Sequence, residues 1–188
     1  MATEINLEND DVTVNTLTAT GNITANAFEG DGSLLTGISG GGSATLEACK
    51  AFLSADSTVN DSTNFTDKNV FPNTAGLDIN IGSFTSASDG IDVPSTGLYI
   101  VMGNMVYSST VVRANPEWRF TINGTGQSES SRSAYIRSGS GHNSSSASLT
   151  TIYNLNAGQR IGLEFRQEGA AGTVDLENTS HVAIYRIA

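Results

Sequence analysis

The chain has 188 residues, only 15% of them charged, and carries a net charge of −10. It therefore lacks the basic face that a phosphate backbone or an anionic membrane surface demands. Its length suits one domain of ordinary size with an appendage, and its somewhat low hydrophobic content of 38% with a wealth of Ser, Thr, Asn and Gly favours strands and turns over helices.

The start, "MATEINLENDD", is acidic and has no apolar core, so no signal peptide is expected there. No apolar run approaches the roughly 18 residues of a membrane span, and synthesis in a cytoplasm without membrane insertion is the expectation. From Met1 to Ser43 the acids Glu4, Glu8, Asp10, Asp11, Glu29 and Asp31 meet no basic residue. Such a segment is either a solvated acidic face or the counterpart of a basic socket on a larger assembly.

Within "VTVNTLTATGNITANAFEGDGSLLTGI" the apolar residues Val12, Val14, Leu17, Ile23, Phe28, Leu34 and Ile38 recur among small polar residues, punctuated by Gly21, Gly30, Gly32 and Gly37. Thr and Val favour extended backbone, and the glycines mark turns. One chain of this kind exposes its backbone groups and cannot bury its scattered apolar residues; three wound together can do both. A disordered acidic arm is the alternative, but the regular return of apolar positions favours a thin trimeric stem. Gly40, Gly41, Gly42 and Ser43 then read as a flexible joint. The expected organisation is an N-terminal stem and attachment segment over residues 1–43 and a C-terminal head over 44–188. The phrase "GNITANAFEGDGSLLTGI", Gly21 to Ile38, resembles stem segments of bacteriophage tail-fibre and virion appendage proteins, where a "GDGSxLTGI"-like phrase precedes a terminal domain. That resemblance implies a trimeric fibre-like module.

From Leu46 onward strand signals repeat. Cys49, the only cysteine, lies in "ACKAFL"; it excludes an intrachain disulfide and suits a buried inert thiol. "GLYIVMGNMVY", Gly97 to Tyr107, is nearly continuous in apolar residues and predicts a strand buried on both faces. "EWRFTING" alternates Trp118, Phe120 and Ile122 with Glu117, Arg119 and Thr121, then turns at Asn123-Gly124, a hairpin signal. "SLTTIYNLNAGQRIGLEFRQEG" offers two strands around Asn156-Ala157-Gly158, and "SHVAIYRIA" a final one. Short strands at these spacings predict an antiparallel β-sandwich.

The order of these phrases resembles the globular head of the complement-1q and tumour-necrosis-factor superfamily. "AFLSAD" at Ala51–Asp56 is similar to that family's opening strand, and Pro94, Gly97 and Tyr99 to its "P-x-x-G-x-Y" corner. "SLTTIYNLNAGQRIGLEF" is similar to its "L-x-L-x-x-G-D-x-V" element, and "TSHVAIYRI" to its closing strand. The resemblance spans Leu46 to Ala188 and implies an all-β antiparallel jelly roll that assembles as a trimer about an apolar axis. Gln159 stands where the family usually has Asp, Val182 and Ile184 replace its usual Phe and Gly, and no collagen-like repeat precedes the head. A family-style calcium site is therefore not carried over.

No residue pattern here calls for catalysis, a cofactor or a metal. His142 and His181 have no second His or Cys at metal-ligand spacing, and no G-x-S-x-G elbow accompanies the many serines. Asp89 and Asp92 in "SDGIDVP" either cap a turn or chelate calcium. The segment from Gly124 to Ser148 places Arg132, Tyr135, Arg137 and His142 among small polar residues, which suits recognition of carbohydrate or protein, or else a solvated hairpin tip. Trp118 reads as core. The combined expectation is a homotrimeric bacteriophage virion fibre or appendage protein, made without a signal peptide and found in the virion. Its stem would anchor to other virion proteins and its head would bind a host cell-surface glycan or protein. The alternative is a capsid, neck or tail decoration or cement protein, and a polysaccharide-cleaving enzyme is a more distant one.

Overall fold

The computed structural model describes residues 46–54, 57–59, 64–109, 113–137, 142–169 and 173–188. The stem positions Val12, Val14, Leu17, Ile23, Phe28, Leu34 and Ile38, and the boundary at 43/44, lie outside them. Among the described residues the strands are β1 (Ala48–Phe52), β2 (Ser57–Val59), β3 (Thr66–Asp67), β4 (Ile79–Ile81), β5 (Thr85–Ala87), β6 (Gly90–Asp92), β7 (Gly97–Ser109), β8 (Ala114–Ile122), β9 (Thr125–Arg132), β10 (Ser144–Leu155), β11 (Arg160–Gly169), β12 (Val174–Leu176) and β13 (His181–Arg186). No helix among them is long and apolar enough to cross a membrane.

Two antiparallel sheets form. The first runs β2-β12-β7-β13-β1-β4, with β10 on the other edge of β7. That edge is paired from Leu155↔Gly97 to Ser144↔Ser108. Along its opposite edge β13 and then β12 follow end to end. The second sheet runs β5-β6-β11-β8-β9, with β3 beside β11. Asn123 (φ +50°) and Gly124 (φ +74°) close the β8–β9 hairpin in the left-handed conformations such a two-residue turn requires. The turn at Asn156–Gly158 also lies where the sequence puts it, but it closes no ladder. It carries the chain from β10 in the first sheet to β11 in the second.

The core lies between the sheets. Tyr99, Tyr107, Trp118, Phe120 and Phe165 are each at most 1% exposed, and burial of such a ring contributes about 1.5–3 kcal/mol. Trp118 meets Phe120 edge-on at 5.0 Å, and Tyr107 meets Phe165 at 6.4 Å. Cys49 is buried, and desolvation pushes its thiol pKa up to about 12. The expected corner is a latch. The Tyr99 hydroxyl sits 2.9 Å from Glu47 Oε2 and 2.8 Å from the Ser95 carbonyl, while Ser95 Oγ donates to Glu47 Oε1 at 2.7 Å. Burial, then the Glu47 contact, raises the Tyr99 pKa to about 12. A Cβ on Gly97 would lie 2.2 Å from the carbonyl oxygen of Ala188, so the corner glycine leaves room for the end of the closing strand.

One expectation needs correction. β7 is apolar on both faces, but only the face bearing Tyr99, Val101, Met105 and Tyr107 is buried; Leu98, Ile100, Met102 and Val106 on the other are half-exposed. Only one layer of a two-layer sandwich can cover a strand, so the second apolar face stays open in a single chain.

Trp118 fixes the spacing of the two sheets at Gly103, where a Cβ would fall 2.4 Å from Trp118 Cη2. Gly103→Ala should therefore cost about 1–3 kcal/mol through overpacking, measured as a lower Cm in urea with an unchanged β-type circular dichroism spectrum.

Candidate functional site

Beyond β9 the chain crosses the end of the second sheet as Ser133–Arg137. Ile136 pins it there: the side chain is fully buried and the residue bridges to Ala114. Its N–H donates to the Ala114 carbonyl at 2.9 Å, and its own carbonyl accepts from Arg113 N–H at 2.9 Å. Strand-like alternation around this buried residue turns its neighbours outward, leaving Tyr135 61% exposed and Arg137 exposed. Arg137 N–H donates to the His142 carbonyl at 3.0 Å. Tyr135, Arg137 and His142 thus come together, with Ala134, Ser144 and Ser145, around a concavity of about 320 Å³.

Arg132 stands elsewhere. It lies on β9, with Nη1 2.6 Å from Glu168 Oε2 and Nη2 3.0 Å from Glu117 Oε2. Glu117 is almost wholly buried and accepts from Arg166 Nε and from Ser130 Oγ at 2.6 and 2.5 Å. Burial alone would raise its pKa, but the hydrogen bonds from Arg166, Ser130 and Arg132 together hold it below the usual carboxylate range. Arg119, paired with Glu164, and Arg166 both lie over the Phe65 ring, at 4.1 and 4.6 Å. Phe65, Glu117, Arg119, Ser130 and Arg166 line a cleft of about 540 Å³ whose two guanidiniums are already matched by carboxylates. Its geometry is that of a packed ionic array, a structural role the sequence does not announce because Phe65 and Arg166 lie a hundred residues apart.

Asp89 and Asp92 close together around Arg160. Arg160 Nη1 meets Asp89 Oδ1 at 2.5 Å, while its Nε and Nη2 take the two oxygens of Asp92 at 2.7 and 2.8 Å. The guanidinium supplies the positive charge, and its hydrogen bonds lower the pKa of both acids. Among the described residues no group of three or more His, Cys, Asp or Glu is disposed to hold a metal ion. His181 lies on β13 with its ring edge-on to Phe52 at 5.9 Å, apart from the His142 loop in the fold.

The largest unforeseen feature is the face of the first sheet turned away from the core. Pairing places Ile152 opposite Ile100, Ile100 opposite Tyr185, Tyr185 opposite Ala48 and Ala48 opposite Ile81, a single apolar row across five strands. The adjacent row runs Thr150, Met102, Ala183, Lys50, Ile79. Ile152, Ile81 and Ile79 are 55%, 45% and 39% exposed. Each strand shows its own alternation in sequence, but only the register aligns them.

No family model and no curated protein matches the chain. Solved structures do. The Eiger TNF of S. frugiperda is 15% identical over 77% of this chain and 94% of its own, with a TM-score of 0.54. Murine APRIL at pH 5.0 is 12% identical over 76% of this chain and 99% of its own, with a TM-score of 0.51. The fold is a tumour-necrosis-factor-like jelly roll. At these identities the likeness is one of architecture, as the ordered phrases of the sequence imply.

Two outcomes are expected. Asp89, Asp92 and Glu117 have lowered folded pKa values, so their stabilisation is full above the unfolded carboxylate value of about 4 and is lost as pH falls through the folded values. The melting temperature should drop steeply below about pH 4, and Arg160→Gln should flatten that drop relative to the parent. Arg132→Ala should cost about 0.5–1 kcal/mol by loosening Glu117, whereas Arg137→Ala should leave the thermal midpoint unchanged; both are read by differential scanning calorimetry.

Proposed function

We propose that the protein is a homotrimeric bacteriophage virion fibre or appendage, its N-terminal segment anchored to the particle and its jelly-roll head contacting the host surface. The observation that carries this reading is the apolar row Ile152–Ile100–Tyr185–Ala48–Ile81 on the open face of the first sheet. An apolar band of this width is costly in water and is relieved when copies of the head pack it around a common axis. The stem phrase from Gly21 to Ile38 supports threefold assembly and a virion setting by its resemblance to phage fibre segments, and the tumour-necrosis-factor-like fold agrees with it. The acidity of residues 1–43 suits a basic socket on the particle.

The full chain should have the solution mass of a trimer by light scattering. Ile100→Glu, which would place three like charges near the axis, should yield folded monomers, checked by circular dichroism on the same sample. A monomeric parent chain would overturn the proposal. Deleting Met1 to Ile38 should leave the head folded yet abolish its incorporation into particles.

A further inference from the structure

The chain carries seven arginines against nineteen acids. Five of the seven pair with carboxylates within the fold. Arg113 and Arg137 meet no carboxylate among the described residues, and the fold brings their backbones together. The Arg113 N–H donates to the Ile136 carbonyl, which belongs to the peptide ending in the nitrogen of Arg137. Arg113 and Ala114 both oppose Ile136, and Arg113 has φ +68°. This is a bulge whose first position is one that glycine ordinarily fills. A guanidinium occupies it at a backbone cost that a glycine would avoid, and Arg113 is exposed rather than packed among the described residues.

A guanidinium fork fits a carboxylate, and the backbone tie through Ile136 brings the chain positions of two such forks next to one another. Tyr135 offers an exposed flat ring and lines a concavity of about 320 Å³ with Arg137, Ser144 and Ser145, while Arg113 adjoins it through the backbone hydrogen bond to Ile136. This volume lies at the small end of ligand sites. Nucleic acid is held by many phosphates along a basic face, which a chain of net charge −10 does not offer, whereas a single sugar carboxylate needs only a local pair of cations.

We propose that Arg113, Arg137 and Tyr135 form a recognition site for an acidic saccharide, the guanidiniums taking the sugar carboxylate and the Tyr135 ring covering a sugar face. The site gives a chemical class to the host-surface contact and rests on that reading for its biological setting alone. The full chain is tested for binding to two carboxylated polymers, polygalacturonate and polysialate, with fully methyl-esterified polygalacturonate as the uncharged control. Binding to at least one carboxylated polymer is expected, about tenfold weaker for the ester and for each of Arg137→Gln and Tyr135→Ala, a charge-assisted or stacking contact being worth about 1.4 kcal/mol or more. Arg113→Gly should weaken binding to the same extent while its melting temperature stays level or rises, because glycine fits the bulge; a purely structural arginine would show no binding loss. The site is overturned if neither polymer binds, if ester and acid bind alike, or if the Arg113→Gly, Arg137→Gln double variant binds as the parent does. A trimeric chain that binds neither polymer sinks this site and leaves the appendage reading standing. A monomeric chain that binds them through these residues does the reverse.

Discussion

The structure depends on β7 being held on every side but one. Its two edges are paired over nearly its whole length, by β10 on one side and by β13 and β12 on the other. Its core face supplies Tyr99, Val101, Met105 and Tyr107, with Gly103 left bare to admit the Trp118 ring. A central strand so constrained sets the register of every neighbour, because a slip of one residue would exchange its two faces. It also fixes the position of Ile100 and Met102 in the apolar rows, so the core and the open face are two consequences of one alignment.

Charge is arranged by a second constraint. With acids outnumbering bases, most of the arginines pair with carboxylates within the fold. Arg166 and Arg132 allow Glu117 to be nearly buried, and Arg160 binds Asp89 and Asp92 in one clamp. Glu117, nearly buried, depends most on such pairing, since a buried charge left uncompensated is costly. Against this background Arg113 and Arg137 stand out, having no acid partner among the described residues. Ile136 ties them together through a buried side chain and two backbone hydrogen bonds. The loop around Tyr135 is therefore positioned by the core even though its polar groups face solvent.

Much of the fold is legible in the sequence. Alternation in "EWRFTING", the Asn123-Gly124 turn and the closing strand announce themselves locally, because strand period and turn chemistry act over a few residues, while the corner at Pro94, Gly97 and Tyr99 shows through its resemblance to a family phrase. The gathering of Tyr135, Arg137 and His142 in one loop was legible too, by proximity in the chain. Arg132 was misleading for the same reason. It is five residues from Arg137, but it belongs to β9, where it faces Glu117 on the neighbouring strand. Arg113 gave no signal at all, since its tie to Arg137 spans a strand pairing.

By itself, then, the sequence determined an all-β antiparallel sandwich, the order of its main strands, the turns that join them and an acidic chain with no basic face. Those properties follow from backbone preference, side-chain period and summed charge, each readable from neighbouring residues. Only the tertiary structure decided that β7 is covered on one face rather than two, that Asp89 and Asp92 clasp an arginine, and that isolated apolar residues of five strands form one row. These depend on which residues stand opposite one another across strands, and that register emerges only when the sheets pack.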